Sequence, residues 1–391
     1  MKKIILAYSG GLDTSVAVRW LKERGFSVIC YLADVGQGQN FSILRKKAAA
    51  AGASKVIVGD LKKEFVNDFI WPSLRANGVY ESKYFLATAL SRPLIAKKLV
   101  EAAHKERAKF VGHGCTGKGN DQVRFEVTVA ALDSKLKVIA PVREWDLPTR
   151  ESEIRYAKVH GIPVDVTKKK PYSIDKNLWG ISIESGKLEN PWYEPPEDVY
   201  RMTKAIKKSP SNPAYLRIYF KNGIPRKING QSLDGIKLIG KLNQIGGKYS
   251  VGRTDLIEDR LVGIKSREIY EAPAACILFE AHKALESLVL DRETLYFKDM
   301  VALKYARLIY EGLWYTPLKA ALDKFIGETQ KAVEGTVNIK LLKGNVFVAG
   351  RKSANSLYRE ELATYGRGDR FDQTLAKGFI ELFGLPYRDK G

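Results

Sequence analysis

Short apolar runs alternate with helical patterns along the first part of the chain, and this alternation constrains the fold more than any other feature of the sequence. The apolar runs lie at residues 4–8, 28–33, 55–58, 109–112 and 137–140. Helical patterns occur between them, at residues 13–24, 42–51, 64–70, 85–103 and 123–131. Strands that alternate with helices predict a doubly wound parallel sheet of the α/β class. Ligands of such sheets bind beyond the C-terminal ends of the strands.

The pattern changes near residues 161–172, where prolines and a lysine run at 168–170 indicate a domain boundary. Beyond it, turns at Asn222-Gly223 and Gly344-Asn345 lie between apolar segments and predict two β-hairpins. Long helical patterns fill residues 279–333, so this half is predicted to be α+β. We therefore predict a first domain at residues 1–165, a second at 166–363 and a C-terminal helical arm at 364–391. The arm packs either on another subunit or on its own domain, and the sequence favours neither.

The chain has 391 residues and a net charge of +21, with a pI near 9.6. This charge has three interpretations: a solvated lysine-rich surface, attraction of a polyanionic substrate, or nucleic-acid binding. The basic residues are spread along the chain, which favours the solvated surface first and the polyanionic substrate second. Three distant cysteines fit a reducing cytosol and offer no zinc spacing. No segment approaches the roughly 20 apolar residues of a membrane span, so a cytoplasmic protein without membrane contact is predicted.

A Ser-Gly-Gly-Leu-Asp-Thr-Ser sequence at residues 9–15 lies between the first predicted strand and the first predicted helix. Two glycines allow a tight turn and a close approach of the backbone to a ligand. The helix that follows offers free N–H groups and its positive dipole end to an anion. The sequence therefore predicts phosphate binding, with Asp13 as a helix cap, a Mg²⁺ ligand or both. A plain Gly-Gly turn is the structural alternative.

A second glycine-rich loop, residues 112–118, follows the fourth predicted strand and is expected to face the same crevice. Its spacing matches a Walker A loop, but the next residue is Gly119, so the hydroxyl that binds Mg²⁺ in Walker loops is absent. A Walker NTPase is therefore excluded. Asn120, Asp121, Gln122 and Arg124 then follow, a density of polar side chains that is unusual for a connector. A mobile surface loop is the alternative.

These two loops carry a resemblance to known enzymes. The first loop resembles that of the ATP pyrophosphatases, which cleave ATP between the α- and β-phosphates and adenylate a substrate. Longer segments, at residues 6–15, 113–126, 137–141, 252–255 and 265–271, resemble the argininosuccinate synthetase family. The resemblance runs from Lys3 to about Tyr365, and residues 116–126 are its most specific part.

The resemblance implies a two-step ligase reaction. The ureido oxygen of citrulline attacks the α-phosphate of ATP and gives citrullyl-AMP and pyrophosphate, and the amine of aspartate then displaces AMP to form argininosuccinate. Adenylation creates a good leaving group, so the protein needs no nucleophile, and positioning and electrostatics carry the catalysis. Mg²⁺ on the phosphates is expected. The family also implies a homotetramer with interlocked C-terminal segments, and no nucleic-acid partner.

The resemblance also assigns residues to each ligand. The ATP set is Ala7, Tyr8, Ser9, Gly10, Gly11, Leu12, Asp13, Thr14, Ser15, Ala33 and Gly114. The aspartate set is Thr116, Asn120 and Asp121. The citrulline set is Tyr84, Thr88, Asn120, Arg124, Ser173, Ser182, Glu258 and Tyr270. The expected catalytic residues are Asp13, Ser9 and Arg124, and no dedicated metal ligand is assigned. A guanidinium fork at Arg124 suits the citrulline carboxylate, and Glu258 suits its α-ammonium.

One position departs from the family. Some members use a serine on citrulline where this chain has Ala89, and the adjacent Thr88 is the expected substitute. Taken singly, the tyrosines and serines of the citrulline set are typical of half-buried aromatics and turn residues. Their joint match to one family favours the functional interpretation.

The rival function is a tRNA-modifying ATP pyrophosphatase that adenylates a base. Enzymes of this kind that insert sulfur into tRNA generally need paired reactive cysteines or a metal cluster. Cys30, Cys115 and Cys276 do not form such a set by spacing, and no RNA-binding module is evident. The sequence therefore favours the ligase over the tRNA enzyme.

Overall fold

Five parallel strands form the N-terminal sheet of the computed structural model, which describes residues 1–163 and 172–388. They are β1 (Lys2–Ala7), β2 (Phe26–Asp34), β3 (Lys55–Asp60), β4 (Phe110–Gly112) and β5 (Lys137–Ile139). Their spatial order is β3-β2-β1-β4-β5. Side chains alternate across β1, so that Ile4 and Leu6 enter the apolar core on one face and Ile5 enters the core on the other. The predicted parallel sheet is confirmed.

Helices lie on both faces of this sheet. They are α1 (Leu12–Glu23), α2 (Phe41–Ala50), α3 (Lys62–Glu64), α4 (Trp71–Arg75), α5 (Ala87–Glu106), α6 (Asp121–Leu132), α7 (Pro141–Glu144) and α8 (Arg150–Val159), with a π-helical segment at Phe65–Ile70. Helix α1 buries Val16, Ala17, Trp20 and Leu21 at helical spacing, as predicted. The chain runs outward from β1 to β3 and returns through α5 to β4 on the other side of β1. The switch point of the sheet therefore lies between the C-terminal ends of β1 and β4.

Antiparallel sheets form the C-terminal part. Its strands are β6 (Ser173–Lys176), β7 (Ile181–Glu184), β8 (Ala214–Lys221), β9 (Ile224–Ile228), β10 (Gln231–Ser232), β11 (Arg253–Asp259), β12 (Lys265–Glu271), β13 (Gly335–Leu342) and β14 (Asn345–Lys352). One sheet has the order β10-β9-β8-β13-β14 and the other the order β11-β12-β7-β6. The sequence did not predict the second of these sheets.

Both predicted hairpins are present, and the β8–β9 turn lies at Asn222-Gly223 as expected. The β13–β14 turn lies at Lys343-Gly344, one residue earlier than predicted, with φ values of 48° and 85°. Two residues with positive φ match the twist of the flanking strands. Asn345 instead begins β14, and its side chain donates to the carbonyl of Lys343 at 3.1 Å.

The predicted helical region at 279–333 consists of three helices. The helices of this part are α9 (Gly235–Lys248), α10 (Pro273–Val289), α11 (Arg292–Tyr310), α12 (Pro317–Thr329), α13 (Glu360–Ala363) and α14 (Leu375–Gly384). Asp291 and Thr316 cap α11 and α12 through their side chains. Helix α14 lies in the predicted arm, and none of residues 364–388 is buried. Within the described ranges, no helix has the length and apolar character that a bilayer span requires.

One apolar core is continuous across the two parts of the chain. It includes Ile5 and Leu90 from the N-terminal part, and Leu216, Leu278 and Leu341 from the C-terminal part. A separate core, built around α1, covers the opposite face of the parallel sheet. The predicted boundary at 165/166 and the lysine run at 168–170 lie outside the described residues.

Candidate active site

The turn at residues 8–11 joins β1 to α1 at the switch point of the sheet. Gly10 has a φ of +79°, and a Cβ placed on it would lie 2.3 Å from Leu44 Cδ2, so only glycine suits this position. Ser9 Oγ lies 3.1 Å from Thr14 Oγ1 and accepts from the N–H of Gly11 at 3.3 Å. Gly11 offers no side-chain cap to α1. The first N–H groups of the helix therefore remain available to an anion.

Two predicted ATP residues, Tyr8 and Ser15, are buried behind the turn. Tyr8 OH and Ser15 Oγ are both buried and lie 2.9 Å apart. Burial raises the pKa of Tyr8 to about 12, so the phenol stays neutral. Ala33 lies at the C-terminal end of β2, the strand next to β1, and is half-buried. These side chains shape the crevice beside the turn.

The second predicted loop lies directly against the first. A Cβ built on Gly114 would lie 2.8 Å from Thr14 Cγ2, so the backbone after β4 packs on the first turn of α1. His113 holds this loop: its Nδ1 accepts from the N–H of Cys115 at 3.2 Å, and its Nε2 donates to Glu126 Oε1 at 3.1 Å. The two glycine-containing loops therefore line one crevice.

Two arginines converge on Asp121 at the start of α6. Arg92 Nε donates to Asp121 Oδ2 at 2.8 Å, and Arg124 Nη1 donates to Oδ1 at 2.9 Å. Burial favours the neutral acid, but the charges of Arg92 and Arg124 hold the pKa of Asp121 below its usual value. Arg92 also pairs with Asp175 on β6. The ionised Asp121 thus belongs to a charge network that joins the two parts of the chain.

Glu258, on β11, is a buried carboxylate held by two phenols. Tyr270 and Tyr310 donate to its two oxygens at 2.5 and 2.7 Å. Burial raises the pKa of Glu258 despite these bonds. Within the described part of the chain, no lysine, arginine or histidine forms an ion pair with it. Asn120 joins this group, because its Nδ2 donates to Tyr310 OH at 2.7 Å.

Tyr84 and Thr88 extend the same cluster. The ring of Tyr84 stacks on that of Tyr270 with centroids 4.0 Å apart. Its hydroxyl accepts from the N–H groups of Thr88 and Ala89 at 3.1 and 3.3 Å and so replaces a side-chain cap at the start of α5. Thr88 Oγ1 lies 3.4 Å from Ser182 Oγ, whereas Ala89 is completely buried. The hydroxyl of Thr88 therefore lies beside Ser182, another of the predicted citrulline contacts.

Two predicted contacts lie at the rim of this arrangement. Ser173 begins β6 opposite Glu184 and is exposed, and Thr116 is exposed in the loop after β4. Among the described residues, no hydrogen bond joins Ser173, Thr116, Ser9 or Asp13 to the buried cluster around Glu258. The phosphate turn is linked to that cluster through the backbone of residues 114–120.

Asp13 has an acidic neighbour on α8. Burial, followed by the charge of Asp13 and a hydrogen bond with it, raises the pKa of Glu153 to about 8. The raised pKa keeps Glu153 protonated at neutral pH, beside the first turn of α1. Such a pair is also suited to hold a cation between its oxygens.

Four of these side chains were not predicted from the sequence: Arg92, Glu153, Asp175 and Tyr310. Arg92 lies four residues after Thr88, one helical turn along the same face of α5, so the helical pattern could have found it. Tyr310 ends an amphipathic helix, and nothing in its local sequence distinguishes it from a core aromatic. Asp175 and Glu153 likewise carry no local signal, because their partners are distant in sequence.

Family models match nearly the whole chain. The Arginosuccinate synthase N-terminal HUP domain matches residues 3–163, and the Arginosuccinate synthase C-terminal domain matches residues 172–390. The chain belongs to the argininosuccinate synthase family. The argininosuccinate synthase of Carboxydothermus hydrogenoformans is 56% identical over 388 residues, which cover 99% of this chain and 97% of that protein. That of Pelotomaculum thermopropionicum is 54% identical over 389 residues, which cover 99% and 97%.

Argininosuccinate synthases are carbon–nitrogen ligases that use ATP, so this chain is an enzyme of that class. The comparisons do not favour the tRNA-modifying alternative. A structure of a 4-thiouridine synthetase–RNA complex with bound ATP aligns with 41% of the chain at 16% identity and a TM-score of 0.30. That likeness is too weak to carry an argument about function.

Proposed function

We propose that this chain joins citrulline to aspartate in the crevice between residues 8–15 and residues 114–124. The ureido oxygen of citrulline attacks the α-phosphate of ATP and releases pyrophosphate, and the amine of aspartate then attacks the activated carbon and releases AMP. The contact between Gly114 and Thr14 carries the proposal. It places the phosphate turn beside the segment that bears the proposed amino-acid contacts, as an in-line attack requires.

ATP binds through the turn between β1 and α1. The free N–H groups of the first helical turn and the hydroxyls of Ser9 and Thr14 face the phosphates. Ala33 lies beside the adenine, and the backbone of Gly114 closes the nucleotide site from the opposite side. The hydroxyls of Tyr8 and Ser15 bond to one another and shape the turn.

Citrulline binds in the cluster around Glu258. A buried carboxylate without an ion-pair partner favours a cationic ligand, and the α-ammonium of citrulline supplies one. Arg124 Nε is bonded to the carbonyl of Tyr310 at 2.8 Å and Nη1 to Asp121 at 2.9 Å, so the citrulline carboxylate meets the remaining N–H groups of Nη1 and Nη2. Thr88 and Ser182 supply hydroxyls to the ureido end, and Ser173 contacts the ligand from the rim.

Aspartate binds along residues 116–121. The exposed hydroxyl of Thr116 and the amide of Asn120 donate to its carboxylates. Asp121 remains ionised because of its two arginine neighbours, so it accepts from the amine and orients it. The attacking amine thereby lies on the side of the crevice that also holds citrulline.

A divalent cation fits beside the phosphate turn. Burial and the charge of Asp13 raise the pKa of Glu153, and a hard cation with oxygen ligands would stabilise the ionised form of both carboxyl groups. Asp13 and Glu153 are therefore the residues that would hold Mg²⁺. The bound ion would neutralise phosphate charge, while Ser9 and Arg124 act on the substrates by positioning them.

A pyrophosphate-release assay tests this function. We expect sustained release only with ATP, citrulline and aspartate together, and at most one equivalent per site when aspartate is omitted. Asp13→Ala and Arg124→Ala should each lose at least about a hundredfold in kcat/KM. Arg292→Ala, at a side chain that is 75% exposed, is the matched control and should behave as wild type. Equal sustained release without citrulline would refute the proposed substrate.

We also propose a homotetramer in which the arm, residues 364–391, packs on another copy. Its helix α14 exposes Leu375, Phe379, Ile380, Leu382 and Phe383, and α11 exposes Tyr296, Phe297, Met300 and Leu303. Apolar surface of this extent favours burial in an assembly. The proposed domains are 1–165, which binds the nucleotide, and 166–363, which completes the citrulline and aspartate sites. A cytoplasmic location is proposed with them.

A further inference from the structure

Tyr310, the last residue of α11, contacts three residues of the proposed active site. Its hydroxyl donates to Glu258 Oε1 at 2.7 Å and accepts from Asn120 Nδ2 at 2.7 Å. Its backbone carbonyl accepts from Arg124 Nε at 2.8 Å. Only 1% of the residue is exposed, so water does not compete for these contacts.

The chemistry of the groups sets the direction of each bond. A carboxylate accepts only, and a phenol has one proton, so the proton of Tyr310 points to Glu258. Asn120 must then present its NH₂ group to the phenol oxygen. Its carbonyl oxygen is left for the N–H of Leu261, which donates to it at 2.9 Å. The hydroxyl of Tyr310 therefore locks the Asn120 amide in one orientation.

The ring of Tyr310 is held on two sides. Tyr80 stacks parallel to it, with centroids 3.6 Å apart and an interplanar angle of 6°. The guanidinium of Arg124 lies 4.9 Å from the ring centroid. Tyr80 OH also donates to the carbonyl of Asp259 at 2.9 Å, next to Glu258 in sequence. The phenol is therefore rigidly placed with respect to the carboxylate that it touches.

We propose that Tyr310 is a positioning residue through which the citrulline and aspartate sites depend on one another. The inference rests on the proposed function, in which Glu258 receives the citrulline ammonium and Asn120 contacts both substrates. One phenol orients both groups. Its loss leaves Glu258 with a single donor and leaves the Asn120 amide held only by the N–H of Leu261, so that its NH₂ group is no longer fixed toward aspartate.

The test is steady-state kinetics of Tyr310→Phe, which keeps the ring and removes only the hydroxyl. We expect the KM values for citrulline and for aspartate each to rise about tenfold, with a smaller change in kcat. Tyr270→Phe removes the other phenol from Glu258 without touching Asn120 and should raise the KM for citrulline alone. Tyr305→Phe, on the same helix as Tyr310, is the structural control, because its buried hydroxyl donates to Asp323 Oδ1 on α12 at 2.6 Å. It should lower the melting temperature and leave both KM values unchanged.

The outcomes separate the two claims. A rise in the KM for citrulline alone in Tyr310→Phe, or a lower melting temperature with both KM values unchanged, would overturn the role of Tyr310. If the rate of pyrophosphate release by the folded wild-type enzyme does not depend on citrulline and aspartate, the proposed function is refuted instead. Melting curves of every variant show whether a kinetic change is measured on folded protein.

Discussion

Removal of the charge of Glu286 should destabilise this enzyme strongly, because it leaves Lys298 buried without a counter-charge. The two residues are each 1% exposed, and Lys298 Nζ lies 3.0 Å from Glu286 Oε1. Asn77 and Gln330 donate to the same carboxylate at 2.6 and 2.5 Å. Burial already lowers the pKa of Lys298. The network ties α10 and α11 to Asn77, three residues before Tyr80.

The magnitudes differ between the two partners. Glu286→Gln leaves the ammonium unpaired and should cost about 4 kcal/mol of unfolding free energy. Lys298→Met leaves a carboxylate that keeps its two amide donors, so the expected cost is about 2 kcal/mol. The double variant contains neither charge and should be no less stable than Glu286→Gln alone. We therefore expect a coupling energy of at least about 2 kcal/mol.

Urea denaturation of the four proteins at pH 7 and one fixed protein concentration measures these values. Glu328→Gln is the matched control, because its pair with Lys331 is 71% exposed on both sides and should contribute less than about 0.5 kcal/mol. The cost of the double variant is compared with the sum of the costs of the two single changes. Agreement within about 0.5 kcal/mol would refute the reasoning.

Further predictions concern the phosphate turn, its acidic neighbour and the arm. Gly10→Ala should lose about 2 kcal/mol of stability and raise the KM for ATP. Gly25 has a similar φ of +80° but no atom near its Cβ, so Gly25→Ala should lose only about 1 kcal/mol and leave the KM for ATP unchanged. The folded state holds a proton on Glu153 up to about pH 8, which the unfolded chain releases near pH 4.5, so stability falls as pH rises through this window. In melting curves from pH 5 to pH 9, Glu153→Gln should therefore gain stability relative to wild type as pH rises, and a constant difference would contradict this. Phe379→Asp, at a side chain that is 63% exposed, should dissociate the assembly in analytical ultracentrifugation without lowering the helix content, and an unchanged mass would contradict the arm's role.

Periodic and turn signals predicted much of the fold. The five parallel strands and the Asn222-Gly223 hairpin follow from local pattern, because apolar spacing and turn residues act over a few positions. The β11-β12-β7-β6 sheet was missed, since β6 and β7 are only four residues long and β7 pairs with β12, almost ninety residues away. Strands this short give little alternation to detect.

In the candidate site, too, groups that are adjacent in sequence were predicted and groups that are distant in sequence were not. The turn at residues 9–15 was recognisable because all its groups are adjacent in the chain. The partners of Glu258 come from β12 and α11, and Tyr310 lies 52 positions away, so no local signal could reveal their contact. Family resemblance supplied Glu258 and Tyr270, but a residue that only orients others leaves no motif.

The apolar core shared by the two parts of the chain limits how ligands enter. Domains that pivot about a hinge need a small, separable interface, and Ile5, Leu216 and Leu341 belong to one continuous cluster instead. Rigid-body opening would separate the residues of this cluster and expose their apolar surface to water. Admission of three substrates and escape of products must therefore depend on exposed connections at the mouth of the crevice, such as residues 116–119 and the tip at 260–264. Substitutions there should change the rate of product departure before they change affinity.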